Sequence, residues 1–572
     1  MKRSFTRRVL GATAAMLAVL AFGSSPPASG SSPPASGADA PYDVLVFSKT
    51  TGFRHDSIPA GIQMIRELGA ANDFTVAATE DSAKFTTANL AQYETVVFLN
   101  TTGDVLNNTQ QSAFESYIRG GGGYVGIHSA ADTEYDWPFY GELVGAYFAS
   151  HPAIQQATVR VENRAHPATQ HLGPAWVRTD EWYNFRTNVR AGARVLATLD
   201  ESTYSGGSMG ADHPHTWCKT VQSGRSFYTG SGHSQANYTE TGVRSLVLGG
   251  IRYTANRAKA DCRPENGYTT LYNGAATGWS QAGPGGFTNS DGTLTSFGGL
   301  GLLWYSTKQF GAYSLKLDWR MAGDDNSGVF IGFPPSSDPN TSLNQGHEIQ
   351  IDATDSPDRT TGAIYGFQAP NIAARDAALN PPGAWNTFEA LVEGERVQVF
   401  LNGTKINDFT NTDPARSLAS GHIGIQNHGD GDEVSFRNIR IRELGSTTPT
   451  TGPIVGAGGK CVDVSGTGSA DGAKIQLWTC HGGTNQQWTR DGNTWRTLGK
   501  CMTVAGATDG SPVQLSTCNG GPGQNWTTGT NGALMNPQAN KCLDANGASS
   551  ANGTQLIIWT CHGGTNQRWT LP

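Results

Sequence analysis

Three groups of residues in this chain combine types and spacings that could carry chemistry. In "GHEIQIDAT" a period of two puts Glu348, Gln350 and Asp352 on one face of an extended segment and Ile349 and Ile351 on the other. Carboxylates and an amide in one row can move protons at a bound substrate, although a solvated outer face carries the same pattern. Four histidines, His55 in "TTGFRHDS", His128 in "GIHSA", His151 in "ASHP" and His233 in "GSGHS", stand where apolar runs end. Gathered in one place, their imidazoles could serve as bases or hold a divalent metal; taken singly, each is as readily a structural residue. The third group is a phrase written three times: "CHGGTNQQWT" from Cys480, "CHGGTNQRWT" from Cys561, and a degraded copy, "CNGGPGQNWT", from Cys518.

Each group needs a scaffold. The phrase closes units of about forty residues that open on "GKCVDVSG", "GKCMTVAG" or "NKCLDANG", which predicts a threefold β architecture over residues 454–572 with the closing Trp488, Trp526 and Trp569 in its core. Six of the eight cysteines fall in these units, pairing Cys461 with Cys480, Cys501 with Cys518 and Cys542 with Cys561, and leaving Cys218 for Cys262. Without close Cys-x-x-Cys spacing they do not read as a zinc site. The polar row belongs to a module over residues 265–444 built of short alternating runs, "YSLKLDWRM", "GVFIGF" and "ERVQVFLNGTKIND" among them, with a hairpin signal at Asn402-Gly403. This predicts a jelly-roll β-sandwich. The histidines belong to residues 41–262, where apolar strands "DVLVFS", "TVVFLN" and "GYVGIH" alternate with helical stretches. In one of these Asn108 caps a helix that carries Phe114, Tyr117 and Ile118 and ends at Gly120. Such alternation predicts a doubly wound α/β sheet, whose functional groups collect at the carboxyl ends of its strands.

The chain has 572 residues, enough for three or four cores, and its 73 glycines and 14 tryptophans suit turn-rich β structure with aromatic platforms. A net charge of −7 without a basic block gives no electrostatic footprint for nucleic acid or an anionic membrane. Lys2, Arg3, Arg7 and Arg8 ahead of the apolar run Val9 to Phe22 read as a cleavable export signal, and Arg7-Arg8 is compatible with the twin-arginine route. The tandem "SSPPASG" within residues 1–40 and "GSTTPTTGP" at 445–453 read as linkers. An extracellular chain with an even cysteine count is expected to form disulfides.

From Pro453 to Pro572 the sequence resembles the ricin B-type β-trefoil lectins. That resemblance implies a sugar site in each lobe, made by an Asp after the first cysteine, an aromatic platform before the second and an Asn-Gln pair. The first lobe has Asp463, Gln476, Trp478, Asn485 and Gln486; the third has Asp544, Trp559, Asn566 and Gln567, with Ile557 where Gln476 stood. The middle lobe has Thr503, Ser516 and Gly523 at these places and is expected to fold but bind poorly. A pyranose presents an apolar face to stack on indole and hydroxyls that need fixed acceptors and amides, and two tethered lobes suit a polymeric or clustered glycan.

"NSGVF" at Asn326, "EIQI", "TGAIY", "PPGAWNTFEALVEGERVQVFLNG" and "GIQNHGDGDEVSFRNIRI" resemble the 3-keto-disaccharide hydrolase family, which has a concanavalin-like sandwich. The resemblance implies cleavage of glycosides already oxidised at C3. It makes Glu348 and His428 acid and base, in an order the sequence leaves open, and gives Gln350, Asp352 and Asn326 the task of positioning substrate or metal. Many members have "QDHG" where this chain has Gln426-Asn427-His428-Gly429, so a carboxylate beside the histidine is missing.

"GFRHDSI", "GGGGYVGIHSA", "YFASHP", "TDEWYNF" and "GRSFYTGSGH" resemble the trehalose-utilisation (ThuA-like) family, with its flavodoxin-like, class I glutamine-amidotransferase-like fold. Where amidotransferases carry a Gly-x-Cys elbow this chain has Gly126-Ile127-His128, so acyl transfer through a thiolate is not available. The resemblance instead implies a pocket for a sugar or sugar acid lined by His55, His128, His151, Glu181 and His233, a set compatible with a divalent metal. Two functional expectations follow: an exported enzyme that acts on oxidised glycosides and is held on a poly- or oligosaccharide by its lectin, or a multi-module glycan-binding protein without turnover. A glycosidase that pairs Glu348 with Asp352 on an unmodified glycan is a third.

Overall fold

The computed structural model describes residues 40–444, 451–491, 493–519, 521–529 and 532–572. The expected export signal, the Pro/Ser spacer and most of the Thr/Pro linker lie outside the described residues. Among those described, no helix is long and apolar enough to cross a membrane.

Residues 42–254 form a nine-stranded sheet in the spatial order Phe74–Thr79, Tyr42–Phe47, Thr95–Leu99, Gly123–Ile127, Gly224–Thr229, Pro214–Val221, Arg194–Asp200, Gln155–Val161 and Ala175–Asp180. The first five strands are parallel and the remaining pairings antiparallel. Thr95–Leu99 is buried at every position because both faces of a central parallel strand are covered. Alternate side chains serve two layers. Val44, Val97 and Val125 pack with Met64 and Ile65 of helix Ile58–Ala71 and with Leu246 and Val247 of helix Thr241–Thr254. Leu45, Val96 and Tyr124 pack on the other side with Phe114 and Ile118 of helix Asn108–Arg119. That helix is capped by Asn107, not Asn108: Asn107 accepts from the Thr109 and Gln110 amides while the Gln110 side chain returns to the Asn107 amide, a reciprocal box that a start one residue later could not close. The Cys218–Cys262 disulfide clips the segment after the last helix to the sheet.

Residues 269–443 make two facing antiparallel sheets. The smaller runs Trp279–Ala282, Gly301–Tyr305, His422–Asn427, Ser327–Phe333 and His347–Ile351, and the larger is centred on Tyr313–Met321 and Val434–Glu443. Between them lies an apolar core that includes Trp319, Phe388, Val329, Ile349, Ile351, Ile423 and Ile425. Asn402 and Gly403, both at positive φ (47° and 87°), form the two-residue turn between Arg396–Leu401 and Thr404–Thr410, where glycine relieves the strain at the second position.

Residues 454–572 repeat one hairpin three times, with Cys461 opposite Trp478, Cys501 opposite Ser516 and Cys542 opposite Trp559. Each repeat carries its disulfide over a separation of 19, 17 or 19 residues. Trp488, Trp526 and Trp569 fill the shared core, each donating its indole N–H to a strand carbonyl, of Val462, Met502 and Leu543 respectively.

Candidate functional site

In the sandwich, the side chains that alternate with the core residues of the smaller sheet face away from the larger one. Cross-strand register sets Phe330 opposite Glu348 and Gly424, and Gly328 opposite Gln350. Gly328 matters to Glu348 because a Cβ there would lie 2.0 Å from the Glu348 carboxylate, so only glycine leaves it room. Glu348 is buried, its Oε1 has no hydrogen-bond partner, and burial pushes its pKa up to about 8. At neutral pH it is therefore a carboxylic acid. Gln350 and Gln426 also hold a buried Oε1 without a partner, so three polar tips on the two strands that flank Ser327–Phe333 share this state.

Beside them runs a hydrogen-bonded chain. Asn326 donates through Nδ2 to Asp352 (2.8 Å), receives Gln350 Nε2 on its own oxygen (3.4 Å), and gives its backbone N–H to Asp432 (3.1 Å). The second Asp432 oxygen stands 3.0 Å from Nδ1 of His428, which is half exposed. Asp352 has little left to offer: its other oxygen accepts the Thr354 and Asp355 amides. It clamps Asn326 and the start of its own loop. Asn427 turns away from His428, is fully buried and donates to the carbonyls of Phe297 and Gly299, a task no carboxylate could do. Asp432 supplies the carboxylate beside the histidine.

In the α/β sheet, His55, His128 and His233 follow strands Tyr42–Phe47, Gly123–Ile127 and Gly224–Thr229, and Glu181 follows Ala175–Asp180. One ligand-type atom from each of the four lies within 4.8 Å of the others. Burial, followed by the charges of His128 and His233, lowers the His55 pKa to about 3, so it is a neutral imidazole. Burial pushes the Glu181 carboxyl up, but hydrogen bonds from His128 and His233 outweigh it and hold the group well below the usual carboxylate range. His151 stands outside the four, exposed, with Nδ1 3.0 Å from Glu181 Oε1.

In the trefoil, Asp463 accepts from Gln476 (3.1 Å), Asn485 (2.8 Å) and Gln486 (3.0 Å), and Asp544 accepts from Asn566 (2.8 Å) and Gln567 (2.9 Å). Trp478 and Trp559 are 39% and 42% exposed, as platforms must be. Gln486 and Gln567 are fully buried, and their amides also hold the Thr479 and Thr560 carbonyls, so they fix the carboxylate and do not reach a ligand. Gln524 keeps the same backbone bond, to Thr517, in the middle lobe, where Thr503 has replaced the Asp.

Family comparisons agree with this partition. Residues 43–254 match the ThuA (trehalose utilisation) model, residues 267–442 the 3-keto-alpha-glucoside-1,2-lyase-like domain, and residues 450–569 the ricin-type beta-trefoil lectin domain. The chain thus carries a ThuA-like, a 3-keto-disaccharide hydrolase-like and a ricin B lectin domain, in that order. The lectin domain is 39% identical over 100 residues to volkensin of Adenia volkensii (17% of this chain, 19% of volkensin), and 41% identical over 75 residues to beta-galactoside-specific lectin 2 of Viscum album (12% and 13%). The chain therefore spans less than a fifth of either relative. A ThuA-like protein of Bacteroides uniformis superposes with TM-score 0.34 at 24% identity, over 39% of this chain and 94% of that one. A glycosyl-hydrolase-like domain joined to a ricin B lectin domain supports a carbohydrate-active, carbohydrate-binding protein.

Within these domains the sequence reading passed over three residues. Asp432 of the 3-keto-disaccharide hydrolase-like domain hides among Asp430, Asp432 and Glu433, and nothing in that run says which one turns back to His428. His481 and His562 of the lectin domain each place Nε2 3.5 Å from the site Asp. Their signal was present, since both sharp copies of the repeated phrase have His where the degraded one has Asn519.

Proposed function

We propose that this is a secreted enzyme that cleaves 3-keto glycosides in its sandwich domain while its lectin domain holds it on glycan. The observation that carries this reading is Glu348: a buried carboxyl protonated at neutral pH, in a domain that matches a 3-keto-glucoside lyase model. A ketone at C3 acidifies the C2 proton. His428, with Asp432 accepting from its Nδ1, takes that proton; the electron pair forms the C2–C3 enolate, which collapses to the enone as the C1–O bond breaks and Glu348 protonates the departing oxygen. Water then adds across the enone. Gln350 and Asn326 orient the substrate's hydroxyls. Secretion is supported by four disulfides and by the lectin match, and a saccharide partner by the lectin relatives.

The test is product release from a 3-keto glucoside by the full chain and by Glu348→Gln and His428→Ala. Turnover is expected in the native protein and a loss of at least about 100-fold in each variant, with glycan binding unchanged. Native protein that binds glycan yet releases nothing would favour a binding-only role.

A further inference from the structure

The four groups at the strand ends of the ThuA-like domain take no part in that reaction, and their arrangement is that of a ligand set. The rings of His55, His128 and His233 form a triangle with centroids 5.0, 5.1 and 5.3 Å apart and planes at 85°, 88° and 74° to one another. Edge-on packing of rings is common by itself; what sets this triangle apart is that one nitrogen from each ring and one Glu181 oxygen all lie within 4.8 Å of one another. His233 Nδ1 is 3.3 Å from His128 Nε2, and Glu181 Oε2 is 3.1 Å and 3.4 Å from the same two atoms. Ligands about 2.1 Å from a common ion stand about 3.0 to 3.4 Å apart when cis in an octahedron or neighbours in a tetrahedron. His128 Nδ1 is 2.9 Å from the Gly230 carbonyl, which can only accept, so Nδ1 carries a proton and Nε2 is the nitrogen turned to the cluster, where an ion would replace the proton it shares with Glu181.

The surroundings hold these groups in place. Asp180, buried and paired with Arg178, accepts the backbone N–H groups of Glu181 (2.9 Å), Gly232 (3.1 Å) and His233 (3.3 Å), fixing two ligand-bearing segments against each other. His151 engages the other Glu181 oxygen, leaving Oε2 for the centre. His128 itself is kept at φ +51°, a conformation disfavoured for a residue with a Cβ. We propose that His55, His128, His233 and Glu181 hold one divalent transition-metal ion, with its remaining coordination positions open on the side of the partly exposed His233. Three imidazoles and one carboxylate suit an ion such as zinc or cobalt better than calcium or magnesium, which prefer oxygen alone.

The experiment uses the full, tag-free chain, stripped with chelator, returned to chelator-free buffer and titrated with Zn2+ or Co2+ by calorimetry, with bound metal counted by mass spectrometry. One ion per chain is expected, raising the thermal midpoint. Affinity is expected to fall at least about tenfold in both His233→Ala and Glu181→Gln. Because His233 is partly exposed, its truncation tests the site where a buried variant might misfold, and its unfolding midpoint in chelator should match that of the native chain. A natively folded chain that takes up no stoichiometric ion, or the same affinity in both variants, would overturn the proposal.

Discussion

At the scale of single residues, Glu348 and Gly328 act as one unit. Burial raises the carboxyl's pKa to about 8, against about 4.3 for a free glutamate, so the native state holds a proton that the unfolded state releases. Stability from this group is full below the unfolded value and declines as the pH rises toward 8. Two outcomes follow for the proposed acid. Turnover of a 3-keto glucoside should fall as the pH rises above about 8, on the limb that belongs to Glu348. Glu348→Gln, neutral at every pH and of the same shape, should unfold at a higher temperature than the native chain at pH 9, while at pH 5 the gap should be much smaller. A profile rising through pH 8, or a variant equally destabilised at both pH values, would remove the protonated acid from the account. The alternation in "HEIQID" placed Glu348 opposite the core isoleucines, but its buried state was not legible, because which loops cover a sheet face is a long-range property. Nor was the Gly328 contact, which depends on register between two strands.

At the scale of elements, the trefoil was the most legible part because a threefold fold writes its own alignment. Strand, cysteine and closing tryptophan recur at one spacing, so residues kept in all three lobes separate from those kept in two. Where that contrast fails, the reading fails: Gln486 and Gln567 looked like ligand contacts because they adjoin Asn485 and Asn566, yet their counterpart Gln524 survives in a lobe that lost its Asp. In the α/β sheet no such internal control exists. The antiparallel half, with strands such as "QQATVRV" at Gln155–Val161, carries weaker apolar runs than the buried parallel strands, and sequence alone did not distinguish Asn107 from Asn108 as cap. The lobes also grip one another: Asp471 of the first bonds Lys500 and Thr517 of the second, and Asp509 of the second bonds Lys541 and Thr560 of the third. The middle lobe is thus a spacer holding two sites at a fixed distance. Trp478→Ala and Trp559→Ala should each weaken binding of a monosaccharide only at the altered lobe, while on a polymeric glycan each single change should cost far more than half the retention and the double change should abolish it. Retention of the double variant on the polymer would move the sugar site elsewhere.

At the scale of the whole molecule, the ThuA-like and sandwich domains are joined through buried charge. Glu265, on the segment that enters the sandwich, contacts Arg194 of the first domain (2.7 Å) and Arg440 (2.7 Å) and Lys316 (3.1 Å) of the second; Lys316 also holds Asp261 (2.8 Å). Burial pushes Glu265 up, but Arg440 and Arg194 outweigh it and hold its pKa well below the usual carboxylate range. A cavity of about 530 Å³ lies along the same joint, where arginines such as Arg164, Arg194 and Arg440 face Glu162, Glu265 and Asp291. A hydrophobic joint would hold at any pH, whereas this one turns on the Glu265 carboxylate, which ties Arg194 of one domain to the charges of the other. Removing it leaves Arg194 buried without its Glu265 partner, while Lys316 keeps Asp261 and Arg440 keeps Asp318, a loss of about 3–5 kcal/mol. The native clasp is complete above the unfolded carboxylate value near 4.3 and is lost as the pH falls through the depressed folded value. Glu265→Ala should therefore lower the calorimetric midpoint at pH 7 and split unfolding of the two domains into separate transitions. In the native chain, the same separation should appear only on acidification, well below pH 4. A variant that melts with the native midpoint and a single transition would show that the domains are held by their apolar contacts and that the charges merely accompany them.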